Sequence, residues 1–217
     1  VLMADYVMWA AIGLLRDAKN WSRQQEQHVW CRKAVFRNSA EARIGILGFG
    51  NLGAAVARRL AAAGFSVSAW SRSPREEQQL SLFFGEEGLA NFLSSVDILV
   101  NLLPSTPQTR HIIDTKLLSR LPSGAGFINV GRGEHVVEED LLAALDSGQL
   151  GGAVLDVVAT EPLMAASPLW DHPRITLTPH VASEASRDAQ AAYVAEAINE
   201  LETGRMPRLL YRPERGY

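Results

Sequence analysis

Four side chains capable of acid–base and electrostatic work stand where apolar runs of the sequence end. Arg132 lies in Asn129-Val-Gly-Arg-Gly133, Asp156 and Glu161 in Leu155-Asp-Val-Val-Ala-Thr-Glu-Pro162, and His180 in Leu177-Thr-Pro-His180. A guanidinium is a planar, permanently charged fork matched to a carboxylate. An imidazole titrates near neutrality and can give or take a proton, and a neighbouring carboxylate favours its charged form. Ligands of open α/β sheets bind outside the carboxyl ends of the strands, so these four groups could converge on one crevice there. Each also has an ordinary reading. Arginine and histidine are common as solvated or hydrogen-bonded residues, Glu161 before Pro162 fits a turn, and Asp156 fits a local loop cap.

Arg43-Ile-Gly-Ile-Leu-Gly-Phe-Gly-Asn-Leu-Gly53 packs four glycines into eleven residues, at the turn from an apolar strand-like run into a helical pattern. Gly48, Gly50 and Gly53 have the G-x-G-x-x-G spacing: a tight turn, close approach of a pyrophosphate to the backbone, and close packing of helix on strand. Asn51 and Leu52 open the helix whose first amides face that pyrophosphate. A glycine-rich turn of another α/β protein would carry the same spacing, so the surrounding elements decide. Some twenty residues on, Ser71-Arg72-Ser73 stands where an acid would bind the ribose hydroxyl of NAD. Arg72 and its flanking hydroxyls suit a 2′-phosphate instead, which favours NADPH with NADH possible; a solvated arginine in a polar turn is the alternative.

The elements that must position these residues alternate. Strand-like apolar runs recur at Ile44–Leu47, Val67–Trp70, Asp97–Leu103, Gly126–Val130, Ala153–Val158 and Ile175–Thr178, with helical patterns at Leu52–Ala63, Glu86–Ser94, Lys116–Arg120 and Glu138–Asp146. Near-continuous apolar strands alternating with helices predict a doubly wound, Rossmann-type α/β parallel sheet. That is the context the glycines require. Ahead of it lies an apolar helix to Leu15, interrupted by Asp5 and ended by Arg16, too short for a membrane span and better read as buried or partner-facing. Asp17 to Ala40, with Trp21, Trp30 and Phe36, reads as an extended arm or second helix on a surface.

Composition excludes several classes. The chain of 217 residues is 47% hydrophobic and 21% charged, as in ordinary globular proteins, and a net charge of −3 without basic clusters gives no field for nucleic acid. One cysteine, Cys31, and histidines without ligand spacing predict neither disulfide nor structural zinc, and a cytoplasmic location. The chain opens with Val and runs directly into a helix, which reads as a fragment.

The combination of "LGFGNLG", "NLLPSTPQT", "NVGRG", "LDVVATEPL" and "TPHVA", in this order, resembles the D-isomer-specific 2-hydroxyacid dehydrogenase family, and "WSRS" with the closing "RGY" its glyoxylate/hydroxypyruvate reductase A branch. The resemblance runs from Val1 to Tyr217. It implies that Arg132 binds the substrate carboxylate and polarises the keto oxygen, that His180 exchanges the proton, and that Glu161 pairs with His180. It implies that Asp156 touches the carboxamide end of the nicotinamide and that Pro104 and Thr109 line the adenosine side. Leu103, Val130, Gly131, Arg132 and His180 complete the cofactor contacts. It also implies a substrate domain formed mostly before the position of Val1, with residues 1–182 the dinucleotide-binding domain and 183–217 a helix and tail returning to the other domain. The first helix and arm match the part used in dimer contacts, so a homodimer is expected.

Two other functions stay open on the sequence: a nucleotide-binding module without turnover, and an NAD-linked phosphoglycerate or lactate type. Arg72 and the lack of an acid at the second strand end weigh against the latter.

Overall fold

The computed structural model describes residues 2–32, 38–74, 77, 80–183 and 187–207. Its frame is a seven-stranded sheet of β1 (Arg43–Leu47), β2 (Ser66–Ser71), β3 (Ser81–Phe84), β4 (Ile98–Asn101), β5 (Ala125–Asn129), β6 (Leu150–Leu155) and β7 (Ile175–Leu177). The order is β3-β2-β1-β4-β5-β6-β7 and every neighbouring pair is parallel. The expected doubly wound α/β sheet is therefore the fold.

The central strands are buried along almost their whole length because helices cover both faces. Ile44 and Ile46 point into a cluster with Val56 and Leu60 of α3 (Asn51–Ala62) and Val7 and Ala11 of α1 (Leu2–Leu15). Leu47, one residue on, points to the opposite face, with Phe92 of α4 (Gly85–Ser94) and Leu141 and Leu145 of α6 (Glu138–Asp146). Burying each such side chain contributes about 1.5–3 kcal/mol, so neither face can be left open. The β1 register begins with Arg43, whose guanidinium donates through Nε and Nη2 to the two oxygens of Asp97 at 3.0 and 2.9 Å, clamping it to the approach to β4.

The apolar first helix packs on α3 and on β5 and β6, burying Met3, Ala4, Val7, Ala10 and Ala11 while Leu2, Trp9 and Ile12 stay exposed. Polar α2 (Ala18–Glu26) buries none of its residues, and the Arg16 guanidinium lies 5.5 Å from the Trp21 ring centre. It realises part of the expected surface arm; Phe36 lies outside the described residues. The final helix, α7 (Arg187–Glu202), has no buried residue among its described side chains and exposes Tyr193, Val194, Ile198 and Leu201.

Four differences from the sequence expectations stand out. The edge strand β3 was not expected, because its half-exposed Ser-Leu-Phe-Phe lacks the long apolar run of a strand buried on both faces. The run Asp97–Leu103 shrinks to Ile98–Asn101: Leu103 is buried but sits beyond the ladder, so apolarity marks burial rather than pairing. β6 starts three residues before Ala153, where Gly151 and Gly152 hide it. The predicted helix over Lys116–Arg120 is the short α5 (Thr115–Leu118), capped by the Asp114 carboxylate accepting from the Leu117 amide.

Candidate active site

Because all strands run parallel, all their carboxyl ends lie along one edge of the sheet, and most of the sequence-predicted site residues sit at these ends or in the loops that leave them. Gly48 follows β1, Arg72 begins the turn out of β2, Leu103 and Pro104 follow β4, Val130 to Arg132 follow β5, Asp156 follows β6 and His180 comes shortly after β7. Strand order reverses between β1 and β4, the switch point where open α/β sheets bind ligands.

The three fingerprint glycines have different physical reasons. Gly48 has φ 111, outside the comfortable range of side-chain-bearing residues, and an added Cβ would lie 2.7 Å from the Leu102 carbonyl. At Gly53 a Cβ would lie 2.1 Å from the Gly48 oxygen, so helix α3 could not approach. At Gly50 a Cβ would meet nothing within 4 Å. The protein itself does not require a glycine there; a ligand lying on the backbone would. Gly50 is also the N-cap of α3 and supplies no side-chain cap, which leaves the first amides of the helix, at exposed Asn51 and Leu52, open to an anion. The Gly48 amide donates to the Trp70 carbonyl at 3.0 Å, tying this loop to the end of β2. There Ser71 donates its hydroxyl to the Ser73 carbonyl at 2.6 Å, while Arg72 and Ser73 are exposed.

Beneath the next two loops lies a polar network that the sequence reading missed. Asn101, Asn129 and His135 are 0%, 1% and 0% exposed. The Asn101 amide nitrogen donates to Asn129 Oδ1 and to His135 Nδ1, both at 2.9 Å, while its oxygen accepts from the Leu103 amide at 3.2 Å. Asn129 in turn accepts from the Gly131 amide and donates to the Arg132 carbonyl, both at 3.2 Å. Gly131 makes room for it: a Cβ would lie 2.8 Å from Asn101 Nδ2. Thr109 accepts from the Thr106 amide and donates toward loop carbonyls, including that of Pro104 at 2.7 Å, so its hydroxyl shapes this loop. Ser105 donates to the Glu134 carboxylate, joining the loop after β4 to the 3-10 turn Gly133–His135; this bond, first, and then nearby Arg110 hold Glu134 below the usual carboxylate range.

On the far side of β6 the acid–base candidates meet. Glu161 Oε2 lies 2.7 Å from His180 Nδ1, and Glu161 Oε1 accepts from the Val158 amide at 3.2 Å. The Glu161–Pro162 peptide is cis. His180 has φ 57, a left-handed conformation histidine adopts more readily than most residues, and its amide donates to the Asp156 carbonyl at 2.8 Å. The Asp156 side chain, 2% exposed, accepts from the amides of Val181 (2.9 Å) and Ala182 (2.8 Å) and from the Thr178 hydroxyl (2.6 Å). It thus caps the loop that carries His180. Tyr6 of α1 extends this chain, 2.6 Å from Thr178 Oγ1. Thr178 gives its one proton to Asp156, so the phenol is the donor. Burial, the largest cause, raises the Tyr6 phenol to about 12.

Arg132 is exposed beside these residues, its Nη1 donating to the Gly131 carbonyl at 2.7 Å. Its loop interlocks with that of Glu161, since a Cβ at Gly133 would lie 1.9 Å from the Val158 carbonyl carbon.

Residues 8–182 match the model of the D-isomer specific 2-hydroxyacid dehydrogenase family, NAD binding domain. The chain belongs to this family. Over 99% of its length it is 40% identical to glyoxylate/hydroxypyruvate reductase A of Yersinia enterocolitica, of which it covers 68%. It superposes with a TM-score of 0.93 on the D-isomer specific 2-hydroxyacid dehydrogenase of Xanthobacter autotrophicus Py2 in complex with NADPH and MES, at 42% identity, covering all of this chain and 89% of that one. An equal TM-score relates it, at 38% identity, to the NADPH-dependent glyoxylate/hydroxypyruvate reductase of Sinorhizobium meliloti in complex with NADP and sulfate; there the match covers all of this chain and 69% of that one. The chain spans about two thirds of the length of the curated relatives it matches.

In this 2-hydroxyacid dehydrogenase the structure brings Glu161, His180 and Asp156 into one bonded unit, and sets Arg132 on the neighbouring loop. The glycine loop meets the loop after β4 at Gly48 and Leu102. A separate cavity of about 410 Å³ lies at the opposite, amino-terminal edge, lined by residues such as Trp9, Leu14, Trp21, Ile98, Gly126 and Gly152. None of the candidate site residues lines it. Among the described residues no helix is long and apolar enough to cross a membrane.

Proposed function

We propose that this chain carries the cofactor-binding part of an NADPH-dependent reductase that converts glyoxylate or hydroxypyruvate to the 2-hydroxy acid. The observation that carries the reading is the 2.7 Å contact of Glu161 with His180 Nδ1 on the sheet edge that also holds the glycine loop. It leaves His180 Nε2 for the substrate. The residues present fit a dinucleotide: an unoccluded Gly50, uncapped α3 amides, and Arg72 with two serines at the end of β2. Arg72 is assigned to the 2′-phosphate, in keeping with relatives whose structures hold NADPH or NADP.

When bound, the nicotinamide supplies the hydride. Arg132 pairs with the substrate carboxylate and polarises the keto oxygen, and His180 delivers the proton that turns the reduced oxygen into a hydroxyl, with Glu161 orienting the imidazole and stabilising its charged form. Asp156 fixes the His180 loop and faces the carboxamide end; Leu103, Pro104, Thr109, Val130 and Gly131 line the remainder of the nucleotide.

Residues 1–182 are assigned to the dinucleotide domain, and 183–217 to a second domain represented here by α7. Two copies are proposed to associate through the first helix and the arm, where Leu2, Trp9 and Ile12 of α1 and Trp21 of α2 are exposed.

Calorimetric titration of the 217-residue chain with NADPH and NADH tests the cofactor reading, with NADPH expected to bind the tighter. NADPH oxidation with glyoxylate, by this chain and by one extended to the length of its relatives, tests the activity. Turnover is expected only in the longer chain, since substrate positioning and exclusion of water require more than the nucleotide half. No NADPH binding by either chain would sink the proposal.

A further inference from the structure

His135 is the one buried side chain among the described residues with a polar atom lacking a hydrogen-bond partner: its Nε2 makes no bond of acceptable geometry. An orphaned donor in a fully buried ring calls for an explanation. The proton inventory fixes its state. The Leu103 amide can only donate, so it faces the Asn101 oxygen; the Asn101 nitrogen therefore faces His135 Nδ1 and donates to it. The imidazole is neutral, with its proton on Nε2, close to the Pro104 carbonyl. The charged groups acting on the ring are Glu134 and Arg132 of its own segment, while Asn101 at the end of β4 and Pro104 in the loop after it do not titrate.

We propose that His135 is a positioning residue for this cleft: a neutral imidazole that locks the Asn101 amide, and through it the Leu103–Pro104 and Gly131–Arg132 backbones, in the geometry that receives the nicotinamide nucleotide. Both hydrogens of the Asn101 amide are used, one on His135 and one on Asn129, so removing the histidine acceptor frees the amide to turn. Turning it withdraws the acceptor of the Leu103 amide and the donor to Asn129 Oδ1, the atom that also holds the Gly131 amide. The Nε2 proton lies close to the Pro104 carbonyl, so the same ring also adjoins the backbone of the loop after β4. The inference rests on the nucleotide reading of the site.

The test compares His135→Phe, which keeps a ring but no nitrogen, with His135→Asn, whose amide oxygen can replace the Nδ1 acceptor. His135→Phe should speed hydrogen exchange at the Leu103 and Gly131 amides relative to Ile128, and weaken NADPH binding about ten-fold or more. His135→Asn should restore both to near wild type. Unchanged exchange and affinity in His135→Phe, or an Asn variant as impaired as Phe, overturns the proposal. Should the variants not fold, nitrogen shifts of wild-type His135 decide: an Nε2–H tautomer at pH 7 upholds it, an Nδ1–H tautomer or an imidazolium overturns it. A wild-type chain that binds neither NADPH nor NADH defeats the nucleotide reading, while the exchange and tautomer results still decide the role of His135.

Discussion

A methyl group at Gly50 would touch nothing, whereas one at Gly53 would overlap the Gly48 carbonyl. Gly50→Ala should therefore leave thermal stability nearly unchanged yet lower NADPH affinity, while Gly53→Ala should cost about 1–3 kcal/mol of stability by overpacking; denaturation curves beside calorimetric titrations separate the two. Arg72→Asp, at an exposed site, should lower NADPH affinity roughly ten-fold and narrow the preference over NADH; unchanged affinity would remove Arg72 from the site. In a full-length enzyme, His180→Ala should reduce turnover by about 10²–10⁴-fold with NADPH affinity intact. His135 adds a pH dependence, because burial first of all pushes its imidazole below the ordinary 6.5. The unfolded chain binds a proton there that the folded chain resists. Stability contributed by His135 is thus fully present above pH 6.5 and is lost as pH falls below it, and the loss should be smaller in His135→Asn. Glycines, Arg132, Glu161 and His180 were legible because they stand in short local patterns. His135 and Asn101 were not, since their bond spans 34 positions and leaves no local spacing to read.

At the scale of elements, the apolar runs marked six strands, because burial on both faces makes a strand continuous in hydrophobicity. The edge strand β3 and the glycine-led start of β6 escaped for the complementary reason. Invisible too was the link from α1 to the His180 loop, whose Tyr6–Thr178 bond spans 172 positions. Tyr6→Phe breaks it while keeping the ring, and should cost about 1 kcal/mol, readable by urea denaturation. In the wild-type protein the raised phenol favours the neutral form in the fold. Its contribution is present below the unfolded value of 10.0 and is lost as pH rises toward about 12. Tyr6→Phe should lack that alkaline loss, seen by following unfolding across the interval.

For the whole molecule, the described core is complete without α7. Ending the chain at Ser183 should leave melting temperature and NADPH affinity unchanged while reducing aggregation, since it removes the exposed Val194, Ile198 and Leu201. A fall in stability would instead place α7 within the nucleotide domain.

The pinning of Tyr6 to Thr178 bears on how the chain reaches this state. Helix α1 precedes every strand of the sheet, yet besides α3 it packs on β5 and β6 and bonds to a residue past β7. The part of it that meets β5 and β6 must wait for nearly the whole sheet, a closure of high contact order that comes late and slowly, although α3 is made sooner. During synthesis such an early helix with a late berth is where a holding chaperone has most to gain.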